Sequence, residues 1–352
     1  MNTILFGWGI LAFVFSFFGT VAVTRLSLRF HLVDRPGEAR KKIHHHPIPQ
    51  MGGLAIYGSV VVITLVVVGL TPFLTSGEIT FSHYAGILLG GLILMIGGAF
   101  DDRYSLPPYL SIVAPAFAAV VAISFGIGVE KLTNPFGGVI ILEAWQSDLL
   151  VFVWLMGVMY TTKFLDGLDG LATSVSSVGT LMIMLLALTL TYYQPDVALF
   201  AAIILGALLG FLFWNYHPAS IFLGEGGSTL VGYLLGILAV ISGGKLATAL
   251  LVLGIPVMDV IWVILRRGKH GGIRALFRGD RKHLHHRLLD LGWGQRRVFL
   301  FYVFVSTACG IIALLLQSKE KLVALIILAV LMVLGASYLV HKEHLVACAC
   351  KK

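Results

Sequence analysis

Five carboxylates stand where long apolar runs end: Asp101 and Asp102 in "GAFDDRYSLPP", Asp166 and Asp169 in "KFLDGLDGLA", and Glu225 in "NYHPASIFLGEGGST". An isolated acid in a membrane helix costs roughly 2.5 to 3.5 kcal/mol at its centre, so these residues need partners. Asp166 and Asp169 are three residues apart and share one face if their turn is helical. Gathered together, the five would repel one another. A hard divalent cation removes that repulsion, and Mg²⁺ is typically held by one or two carboxylates plus substrate phosphate oxygens. Glu225 and Asp102 are the candidate metal residues, and Asp101, Asp102, Asp166 and Asp169 the candidate catalytic acids. Asp101 and Asp102 close a helix, the end at which the macrodipole disfavours anions. Glu225 lies in a Gly-rich turn before a helix whose expected N-cap is Ser228. The free N–H groups there, at Gly226, Gly227 and Ser228, suit a phosphate. The chemistry in prospect is the handling of a phosphate group with a divalent cation.

The basic residues complement the acids. His283, His285 and His286 are flanked by Arg281, Lys282 and Arg287, a density of donors suited to a diphosphate, with Lys163 and Asn215 as further candidates. Zinc is the rival use of the histidines, but no cysteine lies near them in the chain and no HExxH occurs. In "KKIHHHPIPQMGG" (41–53), Lys42 and His44 are candidates for a lipid phosphate; a solvated loop held by Pro47 and Pro49 is the alternative. Asp259, two helical turns before Arg266 and Arg267, either pairs with a basic residue or meets substrate. No GxxxxGK[ST] occurs, which argues against ATP-driven transport.

The elements that must position these residues are membrane helices. The 352-residue chain is 58% hydrophobic and 12% charged, far from the roughly 25% charged of a soluble domain. Its mean hydropathy is +0.94. Apolar stretches near 3–27, 52–72, 83–100, 109–125, 148–162, 171–191, 197–213, 228–243, 247–265, 297–316 and 322–340 predict an all-α integral membrane protein. It is a single polytopic bundle of about eleven transmembrane helices, ten being the alternative count. The first run lacks a basic leader and is long enough to span, so it reads as a helix and not a cleaved signal. The loops 28–50, 101–108, 163–170, 214–227 and 266–297 would share one face. Counted from residue 23 and with the tail after 340, that face holds 21 of the 25 Lys and Arg. The other holds Lys131, Lys245, Lys319 and Lys321. The positive-inside rule makes the first face cytoplasmic, with the N-terminus external and the C-terminus internal, in a plasma membrane. The net charge of +8 then describes a cytoplasmic rim and does not call for nucleic acid. Residues 126–147 form an external loop with a hairpin expected around Gly137-Gly138. Three cysteines, Cys309, Cys348 and Cys350, are too few and too clustered for a disulfide framework.

In order and sidedness these motifs resemble the polyprenyl-phosphate N-acetylhexosamine-1-phosphate transferases of glycosyltransferase family 4, and look closer to the WecA/TagO-like branch than to the MraY branch. The resemblance runs from "KIHHHPIPQMGG" through "DD", "DGLDGLA", "NYHPASIFLGEGGS" and "PVMD" with "RR" to "HLHHRLLDLG". It implies transfer of a sugar 1-phosphate, N-acetylglucosamine 1-phosphate first among candidates, from a UDP-sugar to polyprenyl phosphate (undecaprenyl phosphate in a bacterium). UMP is released, Mg²⁺ is the cofactor with Mn²⁺ as substitute, and the lipid product initiates envelope polysaccharide or glycan synthesis. A homodimer is compatible with it. By analogy, Asp101 and Asp102 match the family's acidic pair, Asp166 and Asp169 its second acidic motif, Glu225 its metal-binding Asp, and the 283–286 histidines its nucleotide-sugar loop. Either Asp101 steers or deprotonates the acceptor in one displacement, or it attacks phosphorus in a two-step route. The chain departs at Lys163, where the family has Asn, at Glu225, at Ser220, where a basic residue is common, and at Tyr109 to Ser111, where a basic residue after "LPP" is missing. A catalytically inactive member is one alternative. A cation-coupled secondary transporter is the other, but its acids would lie near the midplane of the bilayer and these gather at one face.

Overall fold

The computed structural model describes residues 2–34, 47–77, 79–134, 136–190, 192–243, 245–276 and 283–349. The chain opens on α1 (Asn2–Arg29), an apolar helix of 28 residues, then the two-residue strand β1 (Val33–Asp34). β1 pairs antiparallel with β2 (Ile48–Pro49), which leads into α2 (Gly53–Leu70) and α3 (Phe81–Tyr104). A short α4 (Pro108–Ser111) precedes α5 (Val113–Ser124). The loop beyond holds β3 (Lys131–Thr133) and β4 (Val139–Ile141), antiparallel with Thr133 opposite Val139. This is the hairpin expected from Gly137 and Gly138, whose φ angles of +120° and +82° suit glycine. Next come α6 (Ala144–Leu165), α7 (Leu171–Ala187), α8 (Pro195–Asn215) and α9 (Gly224–Ile241). The rest is α10 (Leu246–Val252), α11 (Gly254–Leu276), α12 (Leu284–Asp290), α13 (Gln295–Leu315) and α14 (Ser318–Ala349).

Among the described residues seven helices are long and apolar enough to cross a membrane, or eight if α10 and α11 make one bent span. Length and apolarity alone therefore do not reach the expected count of eleven. The 247–265 stretch, read as one helix, is broken by 81°. Gly254 and Pro256 lie at the break, and proline removes the N–H that would carry the helix through. Pro108–Ser124 and α7 are shorter apolar helices. At 17 residues α7 covers about 26 Å, and it lies largely buried among its neighbours.

α9 runs through the centre of the bundle and is buried along most of its length. Lipid tails are as apolar as leucine, so close backbone approach and dispersion hold such helices together. Small residues allow it here: Gly226 lies against Gly98 of α3, Gly227 against Gly53 of α2, and Gly206 of α8 against the backbone of Gly9 in α1. The start of α9 is thereby clamped between the end of α3 and the start of α2. That places Glu225 beside Asp102.

Candidate active site

A cavity of 680 Å³ opens at the end of the bundle where α3 and α6 finish and α9 begins. It is lined by Asp102, Lys163, Asp166, Asp169, Asn215, Glu225 and Ser228, all candidates from sequence, by His217 and Ser220, and by Pro47, Ile48 and Gln50 of the arm that leads into α2. The arm is laced to the α8–α9 loop: Phe222 N–H donates to the Pro49 carbonyl at 2.9 Å and Gly52 N–H to the Phe222 carbonyl at 2.9 Å. Five of the expected cytoplasmic elements thus meet at one cavity or directly behind it.

Lys163 organises the acidic side. Its Nζ lies 2.7 Å from Glu225 Oε2 and 3.7 Å from Asp101 Oδ2, and donates to Ser111 Oγ at 2.8 Å. Ser111 in turn donates to Asp101 Oδ2, and Leu106 N–H donates to Asp101 Oδ1 at 3.0 Å. Asp101 therefore braces the α3–α4 turn just behind the cavity wall. The cation missing after "LPP" is supplied from α6, where Lys163 reaches Ser111.

Asp102 Oδ1 accepts the Glu225 N–H at 3.0 Å. This corrects the expectation of a phosphate at the α9 N-terminus: the helix begins at Gly224, its N-cap is Leu223, and the anion at its first turn is Asp102. A carboxylate there is favoured by the positive end of the helix dipole. Gly226 and Gly227 do not line the cavity; they serve the helix contacts above. Ser228, expected as N-cap, is inside the helix and donates back to the Glu225 carbonyl at 3.1 Å. Asn215 is also committed within the protein, accepting from Thr173 Oγ1 at 3.0 Å and donating to the Ile221 carbonyl at 2.9 Å.

Asp166 caps α6 at the cavity wall. Burial first, then the negative charges of Glu225, Asp102 and Asp169, hold its carboxyl well above the usual carboxylate range. Asp169 is differently placed: its Oδ2 lies 2.7 Å from His217 Nδ1 and accepts the Ala219 N–H at 3.2 Å. His217 was overlooked as a site residue in sequence. The signal was its place inside "NYHPAS", one of the loops converging on the acids.

The histidine loop packs behind this wall. Asp259 Oδ2 is 2.8 Å from His283 Nδ1, and its Oδ1 accepts the Leu284 N–H at 2.9 Å, so Asp259 takes the structural role of its two alternatives. The His283 ring stacks on Phe164 at 5.5 Å and on His285 at 5.8 Å, and His286 lies 4.3 Å from His285. His285 is 1% exposed and presses against Gly167 of the "DGLDG" turn; neither ring nitrogen has a hydrogen-bond partner among the described residues. Burial, then the neighbouring His286 and His283, hold its imidazole well below the usual histidine range, so the ring is neutral. Arg287 departs from expectation: it lines a separate apolar cavity of 410 Å³ with Trp262, Trp293 and Leu288. His283, His285 and His286 do not line the large cavity either; of the three, His285 backs it at Gly167. Lys42, His44, Arg281 and Lys282 lie outside the described residues, as do the side chains of Arg266 and Arg267.

Among the described residues no three His, Cys, Asp or Glu converge as a ready-made metal cage. That arrangement still fits Mg²⁺, which takes one or two carboxylates and completes its shell with phosphate and water oxygens. Burial, and then the crowding of Glu225, Asp102 and Asp169, disfavour ionised Asp166, a situation that a bound cation would relieve.

The described residues thus form an apolar helical bundle of membrane-spanning length with a charged cavity of 680 Å³ at one end. Residues 84–243 match the family described as glycosyl transferase family 4. The chain is 33% identical to the decaprenyl-phosphate N-acetylglucosaminephosphotransferase of Mycolicibacterium smegmatis over 333 residues, covering 87% of this chain and 79% of that one. It is 28% identical to the probable undecaprenyl-phosphate N-acetylglucosaminyl 1-phosphate transferase of Bacillus subtilis, covering 92% and 89%. It is also 28% identical to the undecaprenyl-phosphate alpha-N-acetylglucosaminyl 1-phosphate transferase of Yersinia pestis, covering 88% and 83%. The chain belongs to this family of polyprenyl-phosphate N-acetylglucosamine-1-phosphate transferases.

Proposed function

We infer that the protein transfers N-acetylglucosamine 1-phosphate from its UDP-sugar to a polyprenyl phosphate, releasing UMP and leaving a polyprenyl-diphosphate-linked sugar. The observation that carries this reading is the cavity in which Lys163, Asp102, Asp166 and Glu225 meet at the end of a lipid-embedded bundle. A soluble donor and a membrane-bound acceptor can meet only there. The volume of 680 Å³ lies within the range of about 300 to 1,000 Å³ usual for small-molecule sites.

The acceptor is a phosphate monoester with a second pKa near 6, so it is mostly dianionic at neutral pH and needs little help from a base. Two anions must nevertheless be brought together. Lys163, held between Asp101 and Glu225, presents an ammonium to them, and Asp169 fixes His217 with Nε2 as the ring nitrogen left for a ligand. One or two of the carboxylates of Asp102, Asp166 and Glu225 would hold Mg²⁺. The ion, when bound, supplies charge neutralisation and stabilises the leaving diphosphate oxygen. Neutral His285 supports the Gly167 turn from behind and leaves nucleotide contact to residues of the cavity itself.

Purified protein incubated with radiolabelled UDP-N-acetylglucosamine and polyprenyl phosphate is expected to yield a labelled lipid and UMP only with acceptor and Mg²⁺ both present. Failure with every UDP-sugar tried would overturn the reading. The cavity faces the cytoplasm in this proposal, on the distribution of Lys and Arg. In a cysteine-free background, Lys131→Cys is expected to react with an impermeant thiol reagent added to intact cells, and Asp290→Cys only after permeabilisation; both positions are exposed. The reverse pattern would invert the topology.

A further inference from the structure

The end of the bundle away from the cavity carries a second cluster of charge. α8 runs from Pro195 to Asn215 and α9 from Gly224 to Ile241, each with its far end about 30 Å from the cavity, so Gln194 and Lys245 lie at that far end. Lys245 Nζ donates to Gln194 Oε1 at 2.7 Å and stands 5.0 Å from the centre of the Tyr192 ring. Lys321, near the start of α14, is 9% exposed and its Nζ donates to Thr248 Oγ1 at 3.1 Å. Burial first, then the charge of Lys321, bring the Lys245 ammonium down to about 8, so the two cations feel each other.

Neither lysine has a carboxylate partner among the described residues. The acids close to them in sequence are turned elsewhere: Asp196 Oδ2 accepts the Ile79 N–H at 3.4 Å, and Glu320 Oε2 accepts the Gln317 N–H at 2.9 Å. Two like charges, one buried and one half-buried, left without a counter-ion among the described residues are costly. Lysines that merely snorkel would keep their ammonium groups in water, which the low exposure of Lys321 contradicts. An ammonium has three donors, and among the described residues each lysine has one neutral hydrogen-bond acceptor. A phosphate supplies both the missing acceptors and the missing charge.

We propose that Lys245 and Lys321, with Gln194, Thr248 and Tyr192 around them, bind the phosphate of an anionic phospholipid headgroup in the leaflet opposite the active site. The tyrosine fits that depth, since aromatic residues gather where headgroups meet the hydrocarbon. Bound lipid would tie the α7–α8 and α9–α10 connections to the start of α14.

The full-length protein in a neutral detergent tests this by thermal unfolding, with short-chain phosphatidylglycerol, the matching phosphatidylcholine, or inorganic phosphate as the added probe. Phosphatidylglycerol is expected to raise the melting temperature saturably and phosphatidylcholine to leave it unchanged. Lys245→Gln combined with Lys321→Gln should weaken the apparent phosphatidylglycerol affinity at least tenfold, Lys245→Arg should preserve it, and Lys131→Gln, an exposed lysine at the same end, should not change it. An equal response to inorganic phosphate would support the site and name the free anion as its ligand. If the double variant does not fold, Lys245→Gln alone decides. The proposal falls if neither probe stabilises the parent protein, if Lys245→Gln binds phosphatidylglycerol within twofold of it, or if Lys131→Gln weakens binding as much.

Discussion

Glu225→Gln is expected to reduce sugar-phosphate transfer by about a hundredfold to a thousandfold, the range found when one preorganised electrostatic contact is removed from a reaction site. The Glu225 carboxylate lies 2.7 Å from Lys163 Nζ, and Lys163 also approaches Asp101 and donates to Ser111. The amide would leave an ammonium without its nearest counter-charge and remove one acid from the set that would hold Mg²⁺. The size of the side chain matters as well as its charge. Glu225→Asp retracts the carboxylate by one methylene, and a misplacement of about 1 Å can cost a hundredfold in rate. Lys163→Asn should be impaired for a different reason, since Asp101 and Glu225 would then face each other without a cation between them. The resemblance drawn from the sequence implies Asn at the first position with Asp at the second, so the double change should recover part of the loss. The coupling expected from kcat/KM of the four proteins is roughly 0.5 to 3 kcal/mol. Strictly additive losses would mean that the two residues act separately despite their contact.

The sequence made the membrane bundle legible because long apolar runs are a local signal, and the same holds for the hairpin at Gly137 and Gly138. It also brought the acidic motifs to one face, since each lay at the end of a run that had to cross. Individual roles were harder to read because they depend on contacts far apart in the chain. Asp102 meets the Glu225 N–H across 123 positions, and no local pattern shows that a carboxylate already occupies the start of α9. Lys163 and the missing basic residue near Ser111 looked like two separate departures until the fold brought them within 2.8 Å. Gly226 and Gly227 sat where a phosphate-binding turn would use glycine, yet backbone contact between helices explains them. His217 escaped notice because a lone histidine before proline carries no spacing signal of its own. The break at Gly254 was readable from Pro256, but an otherwise unbroken apolar run outweighed it.

Asp166→Asn should separate stability from function. Transfer is expected to fall by about a thousandfold, because a carboxylate at the cavity wall is lost from the acids that would hold the metal. The metal-free protein should at the same time melt at a higher temperature than its parent. Burial and the charges of Glu225, Asp102 and Asp169 disfavour ionised Asp166 in the folded state, a penalty that an amide of the same shape does not carry. The sign follows from linkage. A carboxyl whose folded pKa lies above its unfolded value costs nothing below that unfolded value, near 3.9 for aspartate, and its cost grows as pH rises towards the folded value and then levels off. The gain in melting temperature should therefore be present at neutral pH and shrink as the solution is acidified. Added Mg²⁺ should narrow it from the other direction, by stabilising the parent protein more than the variant. Such a trade of stability for function is what a site built from mutually repelling acids requires. A variant that loses transfer but melts below its parent at neutral pH without metal would instead make Asp166 a structural cap of α6, and the metal would then have to rest on Asp102 and Glu225.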